Sequence, residues 1–452
     1  MDNKIENKLI NRKDSYLIAL NISLGLIAVG YPSIIPWVIL GIVFLYVFGY
    51  SRNDRSKVQT LRFISYITGL EILYRSTGVT FLPYEISKYV QIGFILMNLF
   101  IARTFFTSFI GILIIILLLP SLILFPAHLY KYFIFNTLGV LALGFFIAYT
   151  GKHKIDFSDF RKILKSFLYS CIAFVTYITI KTPDFAEIEF NLGANIDTAG
   201  GFGSNQVATI LGGAVCLLII MIDQRHYFIN RAISIGLTLY FTLRGLLTFS
   251  RGGIIGVVLS LIISYIFFKN LKQRNILRLL IIAVVTTVLF VVTNELTGGQ
   301  LLLRYQGETA GTVAGTREKD ANVFLAGRAT YAEIDLALWY DHPILGVGPG
   351  NSQFMRYQYG VYDEAAPHTE ATRLLGENGI FGLAINLILI LWPIYIIRKT
   401  PDKNIKFIKS ILFIFAYATT YHSVMRTGIT PLFYGLASMN IIFPDADIKQ
   451  VS

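Results

Sequence analysis

Residues 248–270 read TFSRGGIIGVVLSLIISYIFFKN, an uncharged run from Gly252 to Phe268 held between Arg251 and Lys269. A helix rises about 1.5 Å per residue, so such a run approaches the roughly 30 Å thickness of a bilayer's hydrocarbon core. With a cation at each end and none between, it reads as a membrane span. Thirteen further apolar runs carry the same signature, near 15–31, 33–50, 61–77, 88–102, 105–126, 132–149, 166–182, 204–222, 229–248, 277–294, 374–397, 407–425 and 428–443. The first, third and fourth runs are the weakest, so the expected fold is an all-α polytopic membrane protein of about 12–14 transmembrane helices.

Composition points the same way. The 452 residues are 54% hydrophobic and only 15% charged, with a mean hydropathy of +0.61. A soluble domain carries about 25% charged residues, and a disordered chain has low hydrophobicity, so both classes are excluded. Cys171 and Cys216 lie in apolar runs and read as small buried hydrophobes, too few for a disulfide framework or a Cys-rich metal site. The polar stretch Asn3 to Asp14 leads into two successive apolar runs, so no cleavable signal peptide is expected.

The net charge of +12 needs a polar basic patch to mean nucleic acid, and here it sorts by loop instead. With the N-terminus in the cytoplasm and alternate loops assigned inward, 26 of the 39 Lys and Arg residues fall inside. Acidic residues go the other way, 10 inside and 17 outside. This is the positive-inside pattern, and the basic excess reads as topology with no nucleic acid partner.

One outer segment breaks the rhythm of short loops. Residues 295–373 form a long connection between a bundle at 1–294 and the C-terminal helices and short tail at 374–452, and so long a loop needs structure or function of its own. A smaller outer loop spans Lys181 to Gly203. The long loop opens with GETAGTVAGTRE (307–318), which reads as flexible. A helix is expected over 327–340, where Tyr331, Ile334 and Leu338 recur at helical spacing. His342-Pro343 stops that helix, and LGVGPGN (345–351) is a Gly-rich turn without the context of a phosphate-binding loop.

Polar groups converge on this outer side. Arg251 starts the span quoted above, Arg328 starts the loop helix, and Arg426 ends the run at 407–425. His368 lies just before Thr369, an expected N-cap for the helix entering the run at 374–397. Glu71 and Arg75 share one helix face at i, i+4 spacing. Each has a plainer reading: a snorkelling anchor for an arginine, a structural ion pair for Glu71 and Arg75, helix ends for His342 and His368, close packing for Gly252 and Gly253. Taken together they say more. Several guanidinium groups at one leaflet suit a lipid-tailed polyanion such as a polyprenyl pyrophosphate, and a neutral histidine nearby suits general-base work. No Asp-x-Asp pair occurs outside. Glu364, Glu370 and Glu377 read as a solvated face or a tie to Arg373, so no metal and no cofactor are expected.

Four segments, GGFGSNQVATILG (200–212), TFSRGG (248–253), GRATYAEIDLALWYDHPILGVGPGNSQF (327–354) and PHTEATRLLGENGIFG (367–382), give the chain its resemblance to the O-antigen ligase and polymerase superfamily of bacterial membrane glycosyltransferases. The ordered set, with the last two closing one long outer loop, carries the likeness. It implies a metal-independent enzyme of the inner membrane whose site faces the periplasm, so that 295–373 becomes a long periplasmic loop containing short helices. It implies an undecaprenyl-pyrophosphate-linked glycan as donor and lipid A core or another glycan as acceptor, with membrane lipids around the spans. By that resemblance Arg251 and Arg328 contact the donor pyrophosphate and His368 is the catalytic base, with Asn205, Arg426, Arg373 and Glu370 in supporting places. Where the family often has Pro-His-Asn, this chain has Thr369 after the histidine. An O-antigen or exopolysaccharide polymerase and a protein O-oligosaccharyltransferase share these motifs. A lipid-linked oligosaccharide flippase is the alternative of another class, although no internal repeat of the kind transporters show is visible.

Overall fold

The computed structural model describes residues 2–49, 56–124, 130–269, 273–325, 327–362 and 369–443. Helices run in chain order as α1 (Asp2–Gly30), α2 (Ile34–Phe44), α3 (Lys57–Ser76), α4 (Ile86–Ile101), α5 (Phe109–Leu118), α6 (Tyr130–Thr150), α7 (Phe157–Lys181), α8 (Ser204–Asp223), α9 (Arg231–Leu247), α10 (Arg251–Phe268) and α11 (Gln273–Leu296). The long loop holds α12 (Gln300–Tyr305), α13 (Ala310–Val313), α14 (Ala321–Phe324), α15 (Arg328–Asp341) and α16 (Ser352–Met355). The chain then returns through α17 (Glu370–Lys399), α18 (Lys403–Thr419) and α19 (Ile429–Ser438). Two short strands, Lys154–Asp156 and Asn440–Ile442, pair in parallel with Ile155 opposite Ile441 and tie the chain's end to the α6–α7 connection.

Each of the fourteen apolar runs overlaps a helix among the described residues, and the protein is an all-α polytopic membrane protein. Among the described residues, seven helices are long and apolar enough to cross a membrane on their own: Lys13–Gly30, Tyr130–Thr150, Phe157–Lys181, Ser204–Asp223, Arg251–Phe268, Asn275–Leu296 and Glu370–Lys399. Ile34–Gly49, Ile86–Ile101 and Phe109–Leu124 are shorter. The difference from the expected 12–14 has a physical cause. Helix α3 carries Glu71 and Arg75 inside the bundle, α18 carries Lys403, Lys406 and Lys409, and α19 is ten residues long with every residue buried.

The bundle core runs through α3, α7, α8, α18 and α19, with Leu61, Phe167, Cys171, Leu211, Cys216, Phe415 and Phe433 fully buried. Helix α11 is the opposite case. Leu277, Leu280, Ile281, Val284 and Val288 are exposed along it, as lipid-facing side chains in a bilayer must be. Helix α10 sits against α8 so closely that a Cβ at Gly253 would lie 2.5 Å from the Ala208 carbonyl oxygen. That contact explains the second glycine of SRGG as a helix-packing residue.

The loop corrects one expectation. Residues 310–313 form a helical turn whose Thr309 and Thr312 side chains cap each other's backbone N–H groups, in the stretch read as flexible. The expected helix at 327–340 is α15, one residue along, and His342 stands at its C-cap before Pro343.

Candidate active site at the α10 end of the bundle

The site is built on three elements that neighbouring side chains hold in place. First, the connection between α18 and α19 is gripped by α3. Glu71 accepts the Gly428 N–H at 2.8 Å and pairs with Arg75, while Arg75 donates to the Arg426 carbonyl at 3.0 Å and bonds Gln206 of α8. Arg75 also stacks 3.9 Å over the Tyr84 ring. The pair anticipated from i, i+4 spacing therefore positions backbone at 426–428 and joins it to α8.

Second, the start of α17 is fixed by a buried ion triad. Arg373 bonds Glu370 at 2.5 Å and also pairs with Glu377, and all three side chains are almost inaccessible. Glu377 further accepts the Ser352 hydroxyl at 2.8 Å. The Gly-rich turn docks alongside: Val347 N–H bonds the Gly376 carbonyl at 2.9 Å and Gly348 N–H the Glu377 carbonyl at 3.0 Å. Gly379, with φ +57°, breaks α17 there, and Ile380 N–H is free to bond the Pro343 carbonyl at 2.9 Å. Thr369 occupies the N-cap position without capping, since its hydroxyl lies 2.6 Å from that of Thr372. The loop helix α15 packs on this platform through Ile334, Asp335 and Leu338. Buried Asp335 accepts from Thr372 at 3.1 Å, and burial pushes its carboxyl up to about 7.

Third, α8 and α10 start side by side. The Ser250 hydroxyl donates to Asn205 Oδ1 at 2.8 Å, and the Thr209 hydroxyl donates to the Asn205 carbonyl at 2.7 Å. His422 Nε2 lies 2.9 Å from the Thr209 hydroxyl, with its ring fully enclosed. A Cβ at Gly252 would lie 2.2 Å from that ring, so the first glycine of SRGG makes room for His422. Sequence reading gave Asn205 a supporting place and His422 none. The link between them appears only once α18 returns beside α8.

These three elements bring cations together. Arg251, at the first turn of α10, donates to the Phe324 carbonyl at 2.5 Å and lies 5.2 Å from the Phe324 ring. Arg328 begins α15 behind the left-handed Gly327. Its guanidinium pKa is held down to about 10 by burial, and then by the charges of Arg251, Arg304 and Arg426. Burial and the charge of Arg251 also lower the pKa of Arg304, on α12. Among the described residues, none of Arg251, Arg304 and Arg328 forms an ion pair with a carboxylate. Like charges half-hidden from water repel one another unless an anion joins them. Arg426 lies 5.9 Å from the Phe135 ring at the edge of the group.

Of the residues singled out in the sequence, Arg251, Arg328, Arg426 and Asn205 converge here. Arg373 and Glu370 neutralise each other beneath the loop helix. His368 lies outside the described residues; the chain resumes at Thr369, and Glu370 N–H bonds the Thr420 carbonyl at 2.9 Å. Arg304, Tyr305 and Asp335 were not anticipated. Below the arginines a cavity of about 780 Å³ runs between α8, α9, α10 and α11, lined along α10 from Ile254 to Tyr265. Its wall is mostly aliphatic, and Ile254 is one helical turn from Arg251. Among the described residues no three His, Cys, Asp or Glu side chains gather as ligands for a metal ion.

Arg251, Arg304 and Arg328 thus stand together without carboxylate partners among the described residues, in a multi-pass helical bundle. Residues 235–387 match the family model described as O-antigen ligase. That stretch takes in Arg251, Arg304, Arg328, His368 and the Glu370–Arg373–Glu377 triad; Glu71, Asn205, His422 and Arg426 lie beyond it. No curated protein matches the chain.

Proposed function

We propose that the protein transfers a glycan from undecaprenyl pyrophosphate to an acceptor hydroxyl, with lipid A core as the acceptor, at the periplasmic face of the inner membrane. The observation that carries this reading is the group of half-buried arginines, Arg251, Arg304 and Arg328, without carboxylate partners among the described residues, one helical turn from the first α10 residue that lines the apolar cavity. Arg251 and Arg328 hold the pyrophosphate, and the first isoprene units of its tail lie along α10 below Ile254. The cavity's extent from Ile254 to Tyr265, roughly 16 Å at 1.5 Å per residue, suits part of such a chain.

In this reading His368 takes the proton of the acceptor hydroxyl as its oxygen bonds the anomeric carbon. The bond from that carbon to the pyrophosphate oxygen breaks on the opposite side, inverting the centre. The leaving pyrophosphate gains negative charge, and Arg251 and Arg328 stabilise it where the preformed site has little left to reorganise. No metal is required for any of these steps. The loop at 295–373 closes over the site, and residues 1–294 and 374–452 hold it.

The test is transfer by purified protein in EDTA from a defined undecaprenyl-pyrophosphate glycan, with lipid A core and a second lipid-linked repeat offered in parallel. Capped lipid A that disappears in His368→Ala is the expected product. A ladder of lengthening lipid-linked glycan identifies a polymerase instead. No product with either, from folded protein, moves the assignment to a protein acceptor or to a flippase.

A further inference from the structure

Helix α12 lies at the arginine group for a local reason. Chain direction reverses after α11 through left-handed Gly298 and Gly299, and Asn294 closes the turn by accepting the Leu302 N–H at 2.8 Å. The turn sets Leu301 fully buried against Leu246, Phe249 and Ile254, at the α9–α10 junction. Residues three and four further along a helix share its face, so Arg304 and Tyr305 are carried toward the start of α10. The Tyr305 ring packs edge-on to Phe290 at 5.2 Å, and its buried hydroxyl has no hydrogen-bond partner among the described residues. Arg304 Nε is likewise buried and unpartnered there.

Structural arginines in this protein behave differently. Arg373 is saturated by two carboxylates, and Arg244, whose Nε is also buried and unpartnered, donates through its terminal nitrogen to the Ile178 and Thr198 carbonyls and the Thr182 hydroxyl. Arg304 has no such acceptors and stands within electrostatic reach of Arg251 and Arg328. Buried donors left empty cost free energy until a ligand fills them. We propose that Arg304 is a third contact to the donor's phosphates, with the Tyr305 hydroxyl donating beside it. This rests on the pyrophosphate reading of Arg251 and Arg328. It makes the short helix α12 part of the binding site, so that a donor phosphate bridges α10, α12 and α15.

The test is binding of labelled undecaprenyl pyrophosphate to detergent-purified full-length protein across a salt series. Arg304→Gln is expected to weaken binding about tenfold, the order of a charge-assisted hydrogen bond, and to flatten the salt dependence. Arg304→Lys should bind more tightly than Arg304→Gln, and Tyr305→Phe should lose about threefold. Wild-type affinity and salt dependence in Arg304→Gln, alongside weak binding by Arg251→Ala and Arg328→Ala, overturns the role of Arg304 and leaves the donor site standing. Equal binding by the Lys and Gln variants also overturns it. Wild-type binding by Arg251→Ala and Arg328→Ala sinks the donor site itself. If Arg304→Gln does not fold, Arg304→Met, which keeps the packing stem, is read by the same outcomes.

Discussion

Helices α8 and α10 carry charge at both ends, and the two ends are built on opposite principles. At one end Asp223 closes α8 and is met by Lys269 and Arg278, each at 2.7 Å, and by the Tyr265 hydroxyl at 3.2 Å. At the other, Arg251, Arg304 and Arg328 gather with no carboxylate among the described residues. The first arrangement is complete as it stands. The second repels itself and is held together by the surrounding fold, and in the function proposed above the donor's phosphates are what join it.

Breaking the comparison at the unpaired end should have the largest effect on activity. Arg251→Ala and Arg328→Ala are each expected to lower transfer by about 10²–10³-fold, the range for removing one preorganised contact to developing charge, with unchanged melting in detergent. At the paired end the effects should exchange places. Asp223→Asn leaves two cations facing each other and is expected to cost about 3 kcal/mol of stability, read as a lower melting temperature, while turnover per folded molecule is kept. Loss of activity without loss of stability in Asp223→Asn would erase the distinction between the two ends.

Gly252→Ala sharpens the comparison at closer range. A methyl group there meets the His422 ring, so about 1–3 kcal/mol of packing strain is expected, together with weaker donor binding as the start of α10 shifts. The smallest effect concerns the lid. Asp335 has its pKa raised by burial to about 7, well above an unfolded carboxyl, so its neutral form favours the docked loop helix. That contribution is full below the unfolded value, near pH 4, and is lost as pH rises through about 7. Amide exchange in α15, corrected for its intrinsic pH dependence, should therefore speed up between pH 6 and 8 in the wild type and not in Asp335→Asn.

Much of this was legible in the sequence. Apolar runs marked the helices because a bilayer imposes their length, and α15 could be bounded to within a residue because Gly327 and His342-Pro343 punctuate it. Glu71 and Arg75 declared themselves by spacing. Their target, the backbone at 426–428, could not be read, because it lies some 350 positions away along the chain. Glu370 and Glu377 read in the sequence as a solvated face or a tie to Arg373, and the tie is what forms, closing a triad in which Arg373 is shared by both carboxylates. Arg304 was silent for another reason. A six-residue helix has too little periodicity to reveal a face, and only the burial of Leu301 shows where it points.

The most direct test of the account is hydrogen–deuterium exchange of the purified protein with and without undecaprenyl pyrophosphate. Protection is expected at the start of α10, along α12 and at the start of α15, with none around Asp223 and Lys269. Protection confined to the Asp223 end, or absent everywhere at saturating lipid, would contradict the claim that the unpaired arginines are the donor site.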